Sequence, residues 1–318
     1  MDGGLKGSPC AHTLDLQLEN VPMRFLPVLT LLGGCLFFSL VPHSEAAGET
    51  PPGGEPSLAW MTDYTKAMAR AEAEGKMLFL LFCQPEGDPL CRRLLSETLS
   101  DSRVREKLKG YVRARLPLDA SIIVDGQELA ILDHPAFSEM LGRPGIAMVD
   151  FAHKDEELHG SVVSTFPLIF GRPYTVREML IMLDLPPGTL TQRTLIYAVR
   201  THPDQPASAD GQIDPHLLAE ARDHSDYQAR IRRQGHHRWN ARFPRINALL
   251  PRGLTASEVC AESWPGEGLL AAAIECVRCW RLSSGHWSAV RARHRVYGYD
   301  MRRGANGIWY ATGIFGRR

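Results

Sequence analysis

The chain has 318 residues, enough for two modest domains. At 44% hydrophobic and 23% charged it has the composition of an ordinary globular protein. Lys plus Arg equals Asp plus Glu at 36 each, so the overall charge gives no case for a nucleic-acid or an acidic partner.

Residues 1–47 read as a leader. Met23-Arg24 opens a positive stretch, 25–41 is apolar, and Ser44-Glu45-Ala46 is a small-x-small pattern. Together these have the form of a secretory signal peptide at 23–46, with Met23 as a candidate start. The rival reading is an uncleaved anchor, the only route to a membrane; Gly33-Gly34 and Pro42 count against it. The Pro/Gly-rich stretch 48–59 follows as a linker. Of seven cysteines, Cys10 and Cys35 fall in the leader. Cys83, Cys91, Cys260, Cys276 and Cys279 remain, in a compartment that permits disulfides.

Order is expected from Trp60. Residues 63–74 read as a helix, with Tyr64, Ala67, Met68 and Ala71 on one face and Gly75 as its stop. The apolar run 77–82 is a buried strand. After the loop CQPEGDPLC, 92–108 reads as one helix and 111–118 as a strand. A loop leads to a short helix at 134–141, a strand at 146–151, a pairing strand at 161–166 and a helix at 175–183. The cluster His153 to His159 tempts a metal reading, but a solvated hairpin loop explains it. Asp133-His134 reads as a helix N-cap pair.

Leu185-Pro186-Pro187-Gly188 marks a domain boundary. Helices are expected at 189–200 and 215–234. The second carries Leu217, Ala221, His224, Gln228 and Ile231 inward, with Gly235 as its cap. His224 then reads as a buried, satisfied histidine. Eight arginines lie in 222–252, and a solvated helix face accounts for them better than a nucleic-acid surface. Residues 257–264 are a short strand or turn, and 268–280 is a clear helix. His286 opens a short helix, and His294 most simply ends one. Alternating aromatics flank Gly304-Ala305-Asn306-Gly307, which predicts a β-hairpin.

The order β-α-β then β-β-α over 60–186, with the tryptophan, Asp63-Tyr64 and the apolar strand ahead of a cysteine loop, resembles the thioredoxin-like fold. The resemblance puts a cis-proline at Pro144. The family's Cys-x-x-Cys register reads Asp88-Pro89-Leu90-Cys91 here, so the nucleophile's place holds Asp and only the resolving Cys91 remains. Cys83 lies eight residues back and could pair with Cys91. A redox-inactive scaffold is the expectation, with thiol oxidoreduction by Cys91 and Cys83 as the alternative.

Over 189–318, the fragments AEARDHSDYQARIRRQGHHRW, SEVCAES and CWRLSSGHW with YGYDM and GIWYATGIFG resemble the CAP superfamily of cysteine-rich secretory, antigen 5 and pathogenesis-related proteins. The resemblance implies an α-β-α sandwich with a cleft that gathers two histidines and acidic residues. Matched residue by residue, these are His236, Glu258 and His286. Such a trio suits zinc or another divalent cation, or general acid/base work without a metal. Ser283 stands where the family's second Glu would fall, and Ser284 replaces a proline, so three ligands are the most expected. Cys276 and Cys279, one helical turn apart, cannot pair with each other without strain, and either could bridge to Cys260. The combined expectation is a mixed α/β and α+β chain. Its role is binding or scaffolding in the cell envelope or outside it, with a protein, lipid-like or cell-wall ligand and no nucleic acid. The alternative is an enzyme: a hydrolase using the His/Glu/His cleft, or the thiol oxidoreductase.

Overall fold

The computed structural model describes residues 59–84, 86–154 and 157–317. The expected leader and signal peptide lie outside the described residues, as does all of the linker but its last residue.

Asp63 accepts a hydrogen bond from Lys66 N and so starts helix α1 (Tyr64–Glu74), which left-handed Gly75 ends. Strand β1 (Leu78–Phe82) is buried along its length. The helix predicted over 92–108 is three pieces: α2 (Pro89–Arg93), a π-helical turn (Leu94–Thr98) and α3 (Ser102–Leu108). The break has a local cause, because Asp101 caps a fresh helix by accepting from Arg103 N. Strand β2 (Val112–Leu116) is followed by a hairpin absent from the sequence reading, β3 (Ser121–Val124) and β4 (Gln127–Ala130). Asp125 and Gly126 turn it, both at positive φ, 51° and 79°. A 3-10 segment (Pro135–Met140), capped by His134 rather than Asp133, leads to β5 (Gly145–Val149), β6 (Val162–Pro167) and α4 (Val176–Leu183).

These strands form a sheet in the order β2-β1-β5-β6. β1 pairs parallel with β2 and antiparallel with β5, and β5 pairs antiparallel with β6. The expected cis-proline is corrected: the Arg143–Pro144 bond is trans, as are all peptide bonds among the described residues. Left-handed Leu141 and Gly142, at φ 57° and 63°, make the reversal ahead of β5 instead.

The second half runs α5 (Leu190–Thr201), β7 (Gln212–Ile213), α6 (Pro215–Ile231), α7 (Trp239–Leu249), β8 (Thr255–Glu262), α8 (Leu269–Leu282), α9 (Ser284–Arg291), β9 (Val296–Arg303) and β10 (Trp309–Arg317). Its sheet has the order β7-β9-β10-β8. The chain is therefore mixed helix and sheet. No described helix is long and apolar enough to cross a membrane.

Strand period divides this sheet cleanly. Val259, Ala261, Tyr297, Tyr299, Met301, Trp309, Ala311 and Phe315 pack with α5 and α8 in one core. Ala256, Val296 and Ile314 face α6 and α7 with Leu217, Ala221 and Ile246. Glu258 and Cys260 share the parity of Ala256, so they too lie on the α6 side. That parity corrects the expected disulfide: Cys276 packs in the α8 core and Cys260 lies across the sheet from it. All five described cysteines are free.

α6 ends earlier than its sequence suggests. Arg232 takes the left-handed cap at φ 54°, its N–H reaching Ala229 and Gln228 carbonyls, and Ile231 is exposed. Where α6 crosses β9, the backbones meet at Gly298. A Cβ there would lie 2.4 Å from Leu217 C and Leu218 N. Gly298→Ala is expected to cost about 1–3 kcal/mol of stability by forcing helix and sheet apart. Thermal unfolding checks it, and an unchanged midpoint would contradict the packing described.

The two sheets share a core through α5. Phe166 of β6 meets Tyr197 of α5 at 4.7 Å between ring centroids, and Thr189, just after the expected boundary at 185–188, caps that helix.

Candidate functional site

The site forms where the loop after α6 meets β8 and the start of α9. Its foundation is a buried polar seam under α6. Ser225 donates to Asp300 O and lies 3.0 Å from Thr312 Oγ1, whose hydroxyl can donate back to it, and Gln228 Nε2 donates to Thr312 Oγ1. Unpaired, such groups would be costly to bury; paired across the sheet, they fix α6 in rotation and height. From this base α6 grips the next loop twice. Gln228 Oε1 accepts from Gly235 N at 3.0 Å, and His224 Nε2 donates to Gly235 O at 2.9 Å. His236 is the next residue, so both bonds set its position.

The structure brings His236, Glu258 and His286 together, in a row and not around one point. His236 Nδ1 lies 3.0 Å from Glu258 Oε1, and His236 Nε2 lies 3.2 Å from His286 Nε2. The His236 ring stands between the other two. Glu258 is 1% exposed in its side chain, and its second oxygen pairs with Arg242 Nη2 at 2.7 Å. Burial would raise the Glu258 carboxyl, but the bond from His236 and the charges of His224 and Arg242 outweigh it. They hold the group below the ordinary glutamate value. Glu258 is thus an anion and an acceptor at neutral pH. His236 therefore donates to it through Nδ1, and its Nε2 faces His286. Burial, then the neighbouring His236, lowers His286, which keeps that ring neutral.

His224, Glu258 and Cys260 each place one candidate ligand atom within 4.8 Å of the others, a group that could hold a metal ion. Two of its members carry prior commitments. His224 Nε2 serves the Gly235 carbonyl, which can only accept. The Cys260 thiol is raised well above its usual value by burial and then by Glu258, which disfavours the thiolate a metal needs. Cys260 Sγ also lies 3.8 Å from His236 Nδ1.

A cleft of about 490 Å³ opens beside His236 and Glu258, with Trp239, Phe243, Ser257 and Arg317 on its walls. This is within the range of small-ligand sites. Arg242 is the residue missed by sequence reasoning. It sits in the arginine run taken as a solvated face, yet its side chain is only 12% exposed and binds both Glu258 and Glu220. Charge pattern alone could not single it out; only the helical position facing Glu258 does.

The other candidates lie elsewhere. Cys83 and Cys91 are together in the first unit, at the end of β1 and in α2. His153 Nδ1 pairs with Asp150 Oδ2 at 2.8 Å, an ordinary loop contact. His294 is buried and stacks on Phe315, beyond the helix it was expected to end.

The sign of the pH dependence follows from Glu258. Its folded pKa is lowered, so its contribution is complete above the unfolded value of about 4.3 and fades as pH falls through the folded one. In metal-free buffer the stability gap between wild type and Glu258→Gln should therefore shrink as pH falls from about 5 to about 3. Chemical denaturation across that range measures it; a gap that widens would contradict the network.

Comparison with family models and with curated proteins gives no match. Among solved structures the chain is similar to an outer surface protein from Borrelia burgdorferi. Identity is 18%, over 34% of this chain and 77% of that one, with a TM-score of 0.28.

Proposed function

We propose that the chain is an exported binding protein, a thioredoxin-like unit followed by a CAP-like unit, and that the second unit holds a divalent cation between His236 and His286. The β-α-β then β-β-α connectivity of the first sheet supports the former resemblance. For the latter, support comes from the three-layer packing and from the order helix, His236, Glu258 strand, His286 helix, glycine-bearing hairpin.

One observation carries the cation: two Nε2 atoms 3.2 Å apart, with the other nitrogen of His236 on a carboxylate. Two nitrogens bound to one tetrahedral zinc at 2.0–2.1 Å would sit roughly 3.3 Å apart. The Glu258–His236 bond is the usual outer support of a metal-bound imidazole, fixing tautomer and ring orientation. The donor set therefore fits zinc or another borderline cation, with His236 and His286 as ligands and Glu258 as the orienting base. This differs from three ligands around one ion, because Glu258 addresses the far side of the His236 ring. A bound cation would offer open positions to an oxygen-bearing group on a ligand seated in the cleft. Trp239 and Phe243 supply apolar wall, and Arg317 a positive charge. That chemistry fits an envelope or extracellular partner: a protein, a lipid-like molecule or a cell-wall fragment.

Without a metal, the same row is a chain of tautomers. His286 Nε2–H donates to His236 Nε2 while His236 Nδ1–H donates to Glu258, the arrangement a His/Glu/His hydrolase would need. Zinc titration of metal-stripped protein separates these readings. Binding at one equivalent, lost in both His236→Ala and His286→Ala, is expected; binding untouched by either overturns the cation site.

A further inference from the structure

We propose that the loop joining α6 to α7 is a docking surface for a bilayer of anionic phospholipid, carried by Arg230, Arg232, Arg233 and Arg238 with Ile231 among them. This departs from the expectation of a solvated arginine face, and it is independent of any cation at His236.

The segment 230–238 holds four arginines and no acid. Local geometry gathers them. α6 stops at left-handed Arg232, and left-handed Arg238, at φ 55°, starts α7. Between these reversals Gly235 is held by His224 and Gln228. The chain folds back, and guanidiniums from opposite ends of the loop reach one ring. Arg230 Cζ lies 5.4 Å and Arg238 Cζ 5.0 Å from the Tyr227 centroid. His237 meets the same ring at 5.7 Å between centroids and donates through Nε2 to Arg233 O at 3.1 Å, which ties Arg233 to the cluster. All four arginines are exposed. None has a carboxylate partner among the described residues, while their neighbours are committed: Arg222 to Asp223, Arg302 to Asp226 and Arg245 to Glu220. The Tyr227 ring offsets part of the repulsion between like charges but leaves the patch positive.

Lipid phosphate fits this patch by charge and by composition. Guanidinium forks match phosphate oxygens two at a time. Ile231, 38% exposed, sets an apolar side chain among the charges, the mixture that interfacial segments carry. Nucleic acid would want free aromatic faces for stacking, and the Tyr227 ring is already taken by Arg230, Arg238 and His237. The loop also carries His236 into the cleft wall, so a docked loop would set the cleft beside the lipid surface.

The full chain is mixed with phosphatidylcholine vesicles, with or without phosphatidylglycerol, in a chelating buffer, and bound protein is measured by sedimentation. The expected result is binding that is stronger with phosphatidylglycerol and falls as salt rises. Each arginine near such a surface is worth about fivefold in partitioning, so Arg230→Gln with Arg233→Gln should weaken binding about 25-fold. Arg230→Lys with Arg233→Lys keeps the charge and should retain most of it. Every variant carries the same residues 1–58, so their ratio reads the patch alone. Equal binding to both vesicle types, or wild-type binding by the glutamine variant, overturns the proposal. So does release by inorganic phosphate at matched ionic strength, which makes the patch a small-anion site. Tighter binding to a single-stranded oligonucleotide than to the vesicles, lost with the same two arginines, assigns it to nucleic acid instead. Should the double variant fail to fold, Arg233→Gln alone decides, at about fivefold.

Discussion

Replacing Arg193 with methionine is expected to lower the unfolding free energy by roughly 3 kcal/mol, since two buried acceptors and one half-buried one would each lose their donor. Arg193 lies on α5, 3% exposed, where the two sheets share their core. Its guanidinium donates to Ser164 Oγ at 2.8 Å, Leu185 O at 3.0 Å and Pro186 O at 2.7 Å. No carboxylate is among these contacts, so carbonyl and hydroxyl dipoles replace water around the charge. Burial lowers its pKa to about 10, which still leaves it protonated at neutral pH. Methionine fills much of the volume but leaves Ser164 Oγ and Leu185 O buried without this donor. Lysine keeps the charge but cannot present the planar fork, so its loss should be smaller yet real. Urea denaturation reads both; a methionine variant as stable as wild type would mean that α5 does not fasten the halves as described.

The second large effect concerns the cleft. Removing either imidazole by His236→Ala or His286→Ala deletes one of the two nitrogens that meet at 3.2 Å, and tight zinc binding should disappear. Glu258→Gln should weaken binding by about 10–100-fold without abolishing it, because it alters only the support of the His236 ring. The graded pattern separates ligand from orienting base. Equal losses in all three would make Glu258 a ligand; a loss in Glu258→Gln alone would move the cation to the buried group of His224, Glu258 and Cys260.

Much of this was legible in the sequence where the signal is local. The alternation of aromatics on both sides of Asn306-Gly307 gave the β9–β10 hairpin, and Asp63 with Gly75 bounded α1. The same kind of signal stood at Asp125-Gly126 and went unread, because the flanking strands are four residues each and only partly buried. Helix continuity misled at 99–101, where a cap outweighs propensity, and at Gly235, where Arg232 ends the helix first. His236, Glu258 and His286 came from the resemblance to CAP proteins. Their arrangement in a row could not, since side chains 22 and 50 residues apart meet only once α6, β8 and α9 are placed. The seam that positions them is less legible still. Asp300 accepts from Thr191, 109 residues away, and Arg193 reaches back to Ser164. Polar residues in an apolar pattern read as surface until their partners are known.

The most direct test is a crystal of the full chain grown with zinc and measured at the zinc absorption edge. An anomalous peak between His236 Nε2 and His286 Nε2, with Glu258 still on His236 Nδ1, is the predicted result. A zinc-loaded crystal with no peak there, or with the peak beside His224 and Cys260, would contradict it.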